Sequence, residues 1–218
     1  MEKKLRTVIL GTGRHAEVLL DCLHAREDVL LECALDQKSD LWGKSWIGIP
    51  VLGSDEKLKD LASLGITHFI IGVGGAGDNG PRMRVFEQAR ALGLRALNVI
   101  HPRAYISRTA SLGEGVQLLA GCIVNTGAAL GSNVLVNTGA IVEHHCTIGD
   151  HVHVASGATL AGTVTVGRAA HIGAGSVVRQ AITIGDNAVV GAGAVVVKNV
   201  PAGIVVAGVP AKMLKSRG

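Results

Sequence analysis

Hydrophobic residues in the first hundred positions form short apolar runs that alternate with segments of helical spacing. The predicted strands are residues 7–10, 29–35, 68–73 and 95–100. The predicted helices are an amphipathic stretch that ends near residue 26, residues 55–64 and residues 81–92. Strands that alternate with helices in this way indicate a parallel α/β sheet.

In the second half, an aliphatic residue recurs at every sixth position, and all sixteen such positions are Ile, Leu or Val. They are Ile106, Leu112, Leu118, Val124, Leu130, Val136, Val142, Ile148, Val154, Leu160, Val166, Ile172, Val178, Ile184, Val190 and Val196. A small residue such as Cys122, Cys146 or Ala158 stands two positions earlier, and glycines recur at a spacing of 18. Three six-residue faces per coil are typical of a parallel β-helix with a triangular cross-section, here about five and a third coils long.

The two patterns predict two domains that meet near His101 and Pro102. We expect a Rossmann-like domain over residues 1–100 and a β-helix of hexapeptide repeats over residues 101–218. Composition supports the second assignment, because 30 of the 218 residues are glycine and only five are aromatic. The narrow corners of a three-sided coil have no room for large rings.

Charge and hydropathy exclude several classes. The net charge is +4, and the basic residues are dispersed and lack interleaved aromatic residues, so we expect no nucleic-acid partner. No apolar run approaches the ~18 residues of a membrane helix, and the amino terminus does not resemble a signal peptide. We therefore expect a soluble cytoplasmic protein. The four cysteines lie far apart, without a CxxC pair, and indicate neither a zinc site nor a disulfide framework.

A glycine-rich turn follows the first strand and matches the pattern GxGxxA from Gly11 to Ala16. Asp36 lies near the offset at which an acid binds a ribose. Bare glycines let backbone N–H groups and a helix amino terminus approach a diphosphate. A nucleotide or nucleotide sugar, a nicotinamide cofactor and a purely structural turn are three interpretations. A second glycine-rich loop, residues 72–80, should lie at the same edge of the sheet.

Histidines are the candidate chemical groups of the repeats. A step of 18 residues places Gly162 above His144 and His171 above His153. A glycine above a histidine leaves an exposed backbone N–H beside a candidate general base. The alternatives are an ordinary surface histidine and a metal site, although only His153 and His171 are placed to meet within one subunit. Cys122 and Cys146 occupy interior positions and are expected to be packing residues rather than nucleophiles.

Four segments resemble bacterial nucleotide-sugar acyltransferases of the hexapeptide-repeat superfamily. They are GTGRHAEVLLD, NVIHPRAYIS, VNTGAIVEHHCTIGDHVHVASGATLAGTVTVG and VVVKNVPAGIVVAGVPAKML. The likeness covers essentially the whole chain. It is strongest to the UDP-4-amino-sugar N-acetyltransferases of bacillosamine type, with GDP-perosamine N-acetyltransferases and sialic-acid O-acetyltransferases as relatives. The resemblance implies a left-handed β-helix, a homotrimer and acetyl-CoA as the co-substrate, with no metal.

The resemblance also implies roles for individual residues in the repeats. His144 is similar to the catalytic base that deprotonates the sugar amine, and Gly162 to a glycine whose N–H faces the thioester carbonyl. His153 matches a histidine that contacts acetyl-CoA. Ala174 and Ala192 match positions along the CoA arm.

In the first domain, the resemblance implies a group of residues that hold the nucleotide sugar. They are Gly13, Arg14, His15, Asp36, Gln37, Gly53 and Gly74. His15 could instead only brace the sugar.

One position departs from the family pattern. The family has Glu or Asp directly after the catalytic histidine, where this chain has His145, and the nearest acid, Glu143, precedes His144. Adjacent residues on a strand face opposite sides, so Glu143 is not assumed to replace the missing acid.

The sequence therefore predicts an acetyl-CoA-dependent N-acetyltransferase that acts by direct attack on a nucleotide-linked amino sugar in surface glycan or glycoprotein biosynthesis. The predicted substrate is a UDP-4-amino-4,6-dideoxy sugar. The alternatives are a sugar O-acetyltransferase of sialic-acid type, a nicotinamide oxidoreductase, and an inactive or metal-binding β-helix protein.

Overall fold

The computed structural model describes residues 4–24, 26–75 and 77–216. The chain divides into two compact units. The first comprises Met1–Gly74 and Pro81–Val99, and the second comprises Gly75–Gly80 and Ile100–Gly218. The sequence did not indicate that the short segment Gly75–Gly80 groups with the repeats.

The first unit is built on a four-stranded parallel sheet whose strands lie in the order Val29–Leu35, Leu5–Leu10, His68–Ile71 and Arg95–Ala96. Its strands are β1 (Leu5–Leu10), β2 (Val29–Leu35), β5 (His68–Ile71) and β6 (Arg95–Ala96), with a small hairpin of β3 (Ser45–Trp46) and β4 (Ile49–Pro50). Its helices are α1 (Arg14–Leu23), α2 (Leu58–Ser63) and α3 (Gly80–Ala91). The parallel α/β prediction is thus confirmed, although no pattern predicted the hairpin.

The predicted strand over residues 95–100 is wrong as a single element. Arg95–Ala96 pairs with β5, whereas Val99–Ile100 belongs to the first sheet of the repeats. Ile100 lies six residues before Ile106, so the hexad register begins one repeat earlier than the sequence analysis placed it. A continuous run of apolar residues does not reveal that a chain changes sheets within it.

The core of the first unit forms where helix faces cover the sheet. Helix α1 buries Ala16, Leu19 and Cys22, which are spaced by three residues and therefore lie on one face. Phe69 of β5 packs edge to face against Phe86 of α3, with ring centroids 5.5 Å apart. Burial raises the pKa of Cys22 and of Cys33 to about 11, so both behave as packing residues.

The second unit is a parallel β-solenoid with three faces. The first face contains Val99–Ile100, Gln117–Leu118, Leu135–Val136, His153–Val154, His171–Ile172 and Val189–Val190, and is extended by the hairpin Ile204–Ala207 and Lys212–Ser216. The second face contains Tyr105–Ile106, Ile123–Val124, Ile141–Val142, Thr159–Leu160, Val177–Val178 and Val195–Val196. The third face contains Ser111–Leu112, Ala129–Leu130, Thr147–Ile148, Thr165–Val166 and Thr183–Ile184. The predicted hexapeptide β-helix is confirmed.

The solenoid interior consists of the aliphatic residue and the small residue of each hexad. Val142 pairs with Val124 below and Leu160 above, so successive coils align at 18 residues. Cys122 and Cys146 are fully buried. Burial raises the pKa of Cys146, whose Sγ donates to the Ala161 carbonyl, and the side chain is therefore not placed as a nucleophile.

The segment Gly75–Gly80 packs on the first face of the solenoid. Asn79 is 1% exposed, and its Nδ2 donates to the carbonyls of Ala169 and Ala170 at 3.2 and 3.0 Å. Across the described ranges, no helix has both the length and the apolar character needed to span a bilayer.

Candidate active site

The glycine-rich turn joins β1 to α1 at the carboxyl edge of the sheet. Gly11 has φ +96°, and a Cβ there would lie 2.9 Å from Cγ2 of Val73, so backbone conformation and close packing both require glycine. Gly13 caps α1 and has no heavy atom within 4 Å of the position a Cβ would take. The turn therefore combines a close-packed first glycine with open space at the helix amino terminus.

Asp36, at the end of β2, braces this turn. Its Oδ2 accepts from both the N–H and the hydroxyl of Thr12 at 2.8 and 2.7 Å, and its Oδ1 accepts from the Lys38 N–H at 2.9 Å. Burial opposes ionisation, but these hydrogen bonds hold the pKa of Asp36 below its usual value. The two lone pairs of Oδ2 are used by Thr12, which argues against the bidentate ribose contact of a nicotinamide enzyme.

A cavity of about 520 Å³ opens at the same edge of the first unit. Its lining comprises Gly11, Asp36, Gln37, Lys38, Asp55, Val73, Pro81, Arg84, Val85 and Gln88. Gln37 donates to Asp55 at 2.8 Å, and burial raises the pKa of Asp55. Of this wall, the sequence predicted only Asp36 and Gln37 as ligand-binding residues. Asp55 and Arg84 belong to no local motif in the sequence. They reach the cavity because the fold brings the elements that carry them to the sheet edge.

The other predicted residues of the first unit surround the turn. Arg14 and His15 begin α1, and the Cα of Gly74 lies against the His15 side chain. The carbonyl of Gly53 accepts from the Asp36 N–H at 2.9 Å, so Gly53 holds the backbone of Asp36 in place. Gly53 is buried, whereas Gly13, Arg14, Gln37 and Gly74 are exposed.

His144 and Gly162 form the predicted pair in the solenoid. Both lie at the edge between the second and third faces, and His144 is exposed. A Cβ on Gly162 would collide with Nε2 of His144, so the imidazole lies directly against the glycine backbone. Only glycine permits this approach.

Backbone N–H groups along this edge differ in their hydrogen bonds. The Thr126 N–H donates to the Asn125 side chain at 2.8 Å, and the His144 N–H donates to the Glu143 carboxylate at 3.1 Å. At the equivalent position one coil higher, Ala161 has no side-chain acceptor, and the Gly162 N–H donates to none of the described residues. The sequence analysis did not identify Ala161. This residue matters because its methyl side chain has no oxygen to accept from the Gly162 N–H.

Glu143 and His145 have different environments. Glu143 Oε2 accepts from the His144 N–H and from Nδ2 of Asn125, each at 3.1 Å, and therefore caps the backbone. The Nδ1 atoms of His144 and His145 lie 3.3 Å apart. His145, at φ +57°, thus lies beside the His144 ring.

His153 lies on the first face, away from His144. Its ring is 4% exposed, its Nε2 lies 3.3 Å from Nδ2 of Asn137, and its centroid is 4.8 Å from that of His171. A Cβ on Gly75 would lie 3.3 Å from the His153 Nδ1, so Gly75 packs against the ring. Within one chain His153 is therefore almost fully covered, and its contact with acetyl-CoA, which the resemblance implies, stays a prediction.

Ala174 and Ala192 are exposed and lie one coil apart, away from both His144 and His153. They lie at the edge between the first and second faces, where the Gly193 N–H donates to the Ala174 carbonyl at 2.8 Å. Within one chain, the full width of the second face separates this edge from His144. Among the described residues, no group of three or more His, Cys, Asp or Glu side chains is arranged to hold a metal.

Comparisons with known proteins match both units. The model "PglD N-terminal domain" matches residues 6–89, and "Bacterial transferase hexapeptide (six repeats)" matches residues 127–162 and 163–198. The curated UDP-N-acetylbacillosamine N-acetyltransferase of Bacillus subtilis (strain 168) is 36% identical over 117 residues. This alignment covers 51% of the chain and 50% of that relative, so the chain spans about half the length of the curated relative it matches.

Two solved structures are similar over nearly the whole chain. PerB from Caulobacter crescentus, in complex with CoA and GDP-perosamine, is 36% identical, with a TM-score of 0.88 over 96% of this chain and 97% of that one. The acetyltransferase domain of PglB from Neisseria gonorrhoeae FA1090, in complex with acetyl coenzyme A, is 35% identical, with a TM-score of 0.87 over 97% and 100%.

The two domain models, the long alignments and the solenoid together confirm the predicted relationship. The chain belongs to the bacterial hexapeptide-repeat acyltransferases that carry a PglD-type amino-terminal domain.

Proposed function

We propose that the protein transfers the acetyl group of acetyl-CoA to the amino group of a nucleotide-linked amino sugar. We further propose that this sugar is a UDP-4-amino-4,6-dideoxy sugar used in glycan biosynthesis. The observation that carries the proposal is the N–H of Gly162, which donates to no described residue while its backbone lies against Nε2 of His144. The relatives named above, which bind CoA and GDP-perosamine or acetyl coenzyme A, support the choice of substrates.

In this mechanism, His144 is the general base. Its Nε2 takes a proton from the sugar amine as the nitrogen attacks the thioester carbonyl. The Gly162 N–H then stabilises the negative charge that develops on the carbonyl oxygen. The thiolate of CoA departs directly, and no acyl-enzyme is formed. Orientation of two bound substrates supplies much of the acceleration.

The His144–His145 pair restricts the tautomers that this mechanism can use. Nε2 of His144 can accept a proton only if Nδ1 carries the hydrogen, so Nδ1–H must donate to Nδ1 of His145. His145 is then a neutral acceptor in the place where relatives have a carboxylate. A neutral partner stabilises the developing imidazolium less than a carboxylate does.

The first unit is proposed to hold the nucleotide sugar. Backbone N–H groups of the glycine-rich turn and the amino terminus of α1 suit a diphosphate, with Gly13, Arg14 and His15 beside it. Gln37 and Asp55 of the cavity suit the nucleoside, while Asp36 and Gly53 support the turn.

The assembly is proposed to be a homotrimer. His144 and the pair Ala174 and Ala192 occupy different edges of the solenoid, so one groove can contain both only if two chains contribute. Acetyl-CoA would then lie between His144 of one chain and the alanine edge of its neighbour. The N-acetyltransferase assignment does not depend on this stoichiometry.

The function is tested by incubating the purified protein with acetyl-CoA and a panel of UDP-, GDP- and CMP-linked amino sugars. Release of the CoA thiol measures turnover, and NMR of the product distinguishes an amide from an ester. We expect His144→Ala to lower kcat by about 10²–10⁴-fold. His24→Ala, which removes an exposed histidine, is the control. Wild-type turnover by His144→Ala would exclude the mechanism, and an ester product would identify an O-acetyltransferase.

A further inference from the structure

Arg82 is the one large cation that the first unit buries completely among the described residues. It lies in the first turns of α3 and is 1% exposed. Its Nη1 donates to the carbonyls of Val73 and Ile71 at 3.0 and 3.4 Å. Its Nε and Nη2 are buried and have no hydrogen-bond partner in the described chain. Buried guanidinium groups ordinarily pair with a carboxylate.

Among the residues that the structure describes, no carboxylate compensates this charge. Burial lowers the pKa of Arg82 to about 9. No acidic residue in the described ranges lies close enough to raise this pKa. The ion pairs of the described first unit involve other residues, such as Arg6 with Glu32 and Arg26 with Asp28. Without a ligand, the first unit therefore holds a buried positive charge, with no carboxylate partner among the described residues, next to the end of β5.

Arg82 adjoins residues that line the cavity at the sheet edge. Its acceptor Val73 lines that cavity, as do Pro81 and Val85, which flank Arg82 on α3. Val73 is also the residue against which Gly11 packs in the glycine-rich turn. Arg82 and the turn thus contact the same residue, Val73.

The charged residues that line the cavity balance one another. Lys38 and Arg84 contribute two positive charges, and Asp36 and Asp55 contribute two negative charges. The lining therefore has no surplus of positive charge, and the exposed Arg14 at the start of α1 is the one surface cation already placed beside the diphosphate. A buried charge is screened by salt less than an exposed one, so the field of Arg82 extends into the adjacent cavity.

We propose that Arg82 is the counter-charge for the diphosphate of the nucleotide sugar, acting through its field as a positioning residue without touching the ligand. This inference rests on the proposed function. It adds that a buried cation makes the first unit bind a diphosphate in preference to an uncharged nucleoside. This cation belongs to no sequence motif and does not line the cavity.

The test compares the affinities of wild type, Arg82→Met and Arg82→Lys for UDP and GDP with their affinities for uridine and guanosine. Calorimetry measures the diphosphates, and NMR titration measures the nucleosides. Arg82→Met should weaken diphosphate binding at least 10-fold and nucleoside binding less than 2-fold. Arg82→Lys, which keeps the charge, should restore most of the difference. Arg90→Met, at the far end of the same helix, is the control for loss of one positive charge.

Three results would overturn the inference. Equal weakening of both ligand classes would show that Arg82 only shapes the cavity, and unchanged diphosphate binding would show that its charge is irrelevant. Failure of both variants to fold, judged by thermal unfolding, would show that the side chain is purely structural. Wild-type protein that binds neither diphosphate would instead refute the nucleotide-sugar assignment itself.

Discussion

At the scale of single residues, the contact between His144 and His145 governs the proposed chemistry. The two Nδ1 atoms are 3.3 Å apart, while the nearest carboxylate, Glu143, is engaged with backbone and amide groups. His145 therefore orients the base but does not bring a negative charge to it. The left-handed conformation of His145, φ +57°, also limits which side chains fit there, and Asn and Asp are tolerated best.

Replacement of His145 by Asp should increase the rate of acetyl transfer. The Asp Oδ1 takes the place that Nδ1 has in histidine, so it can accept from His144 with a full negative charge. A charge-assisted hydrogen bond is worth about 1–1.5 kcal/mol more than a neutral one, which corresponds to a gain of about 10-fold in kcat.

His145→Asn is the matched control, because its Oδ1 accepts at the same place without charge. Its kcat should stay near that of the wild type. Steady-state kinetics with the preferred sugar measure both variants. A faster Asn variant, or an Asp variant no faster than Asn, would contradict this account of His145.

At the scale of one structural element, the solenoid edge that carries His144 is a ladder of turns. In the lower coils, the side chain before the turn accepts from the turn N–H, as Asn125 does for Thr126 and Glu143 does for His144. Ala161 interrupts this pattern one coil higher. The edge therefore exposes a backbone donor at Gly162, beside the base.

Ala161→Asn should place an amide oxygen over the Gly162 N–H, as Asn125 does below. The loss of one donor to the developing oxyanion is expected to reduce kcat by about 10²–10³-fold with a smaller change in KM. Ala161→Leu adds similar bulk without an acceptor and should keep kcat within about 5-fold of the wild type. Equal losses in the two variants would point to crowding and would remove the N–H from the mechanism.

At the scale of the whole molecule, the proposed trimer requires each chain to contribute two different halves of a catalytic groove. His144 and Gly162 stand on one edge of the solenoid, and Ala174 and Ala192 stand on another. In a closed ring of three chains, each edge of one kind can face an edge of the other kind. Shared sites of this type make activity a property of the assembly.

Subunit mixing tests this arrangement. His144→Ala and Ala174→Trp should each be inactive, whereas trimers formed by co-expression in equal amounts should recover about a quarter of the wild-type activity. The value follows because a site needs an intact His144 from one chain and an intact Ala174 from the next, each with a chance of one half. Mass photometry checks the stoichiometry. Mixed assemblies without activity would place both residues in a site of one chain.

Local patterns were enough to predict much of this protein. The hexad register identified the solenoid because only a repeating three-sided coil buries every sixth residue, and the step of 18 by itself placed Gly162 above His144. Alternating strands and helices likewise identified the parallel sheet. These inferences succeeded because repeats and binary patterns are short-range properties of the chain.

Other features arise from contacts between residues that are distant in sequence. The change of sheets between Ala96 and Val99, the bracing of Asp36 by Thr12 and the contact of Gly75 with His153 depend on how segments pack. Arg82 is a similar case, since the lack of a carboxylate beside it in the described part of the chain depends on all the elements around the side chain. Periodicity thus sufficed for the architecture and for the position of His144, whereas packing determined which polar groups already have hydrogen-bond partners and which, such as the Gly162 N–H, have none among the described residues.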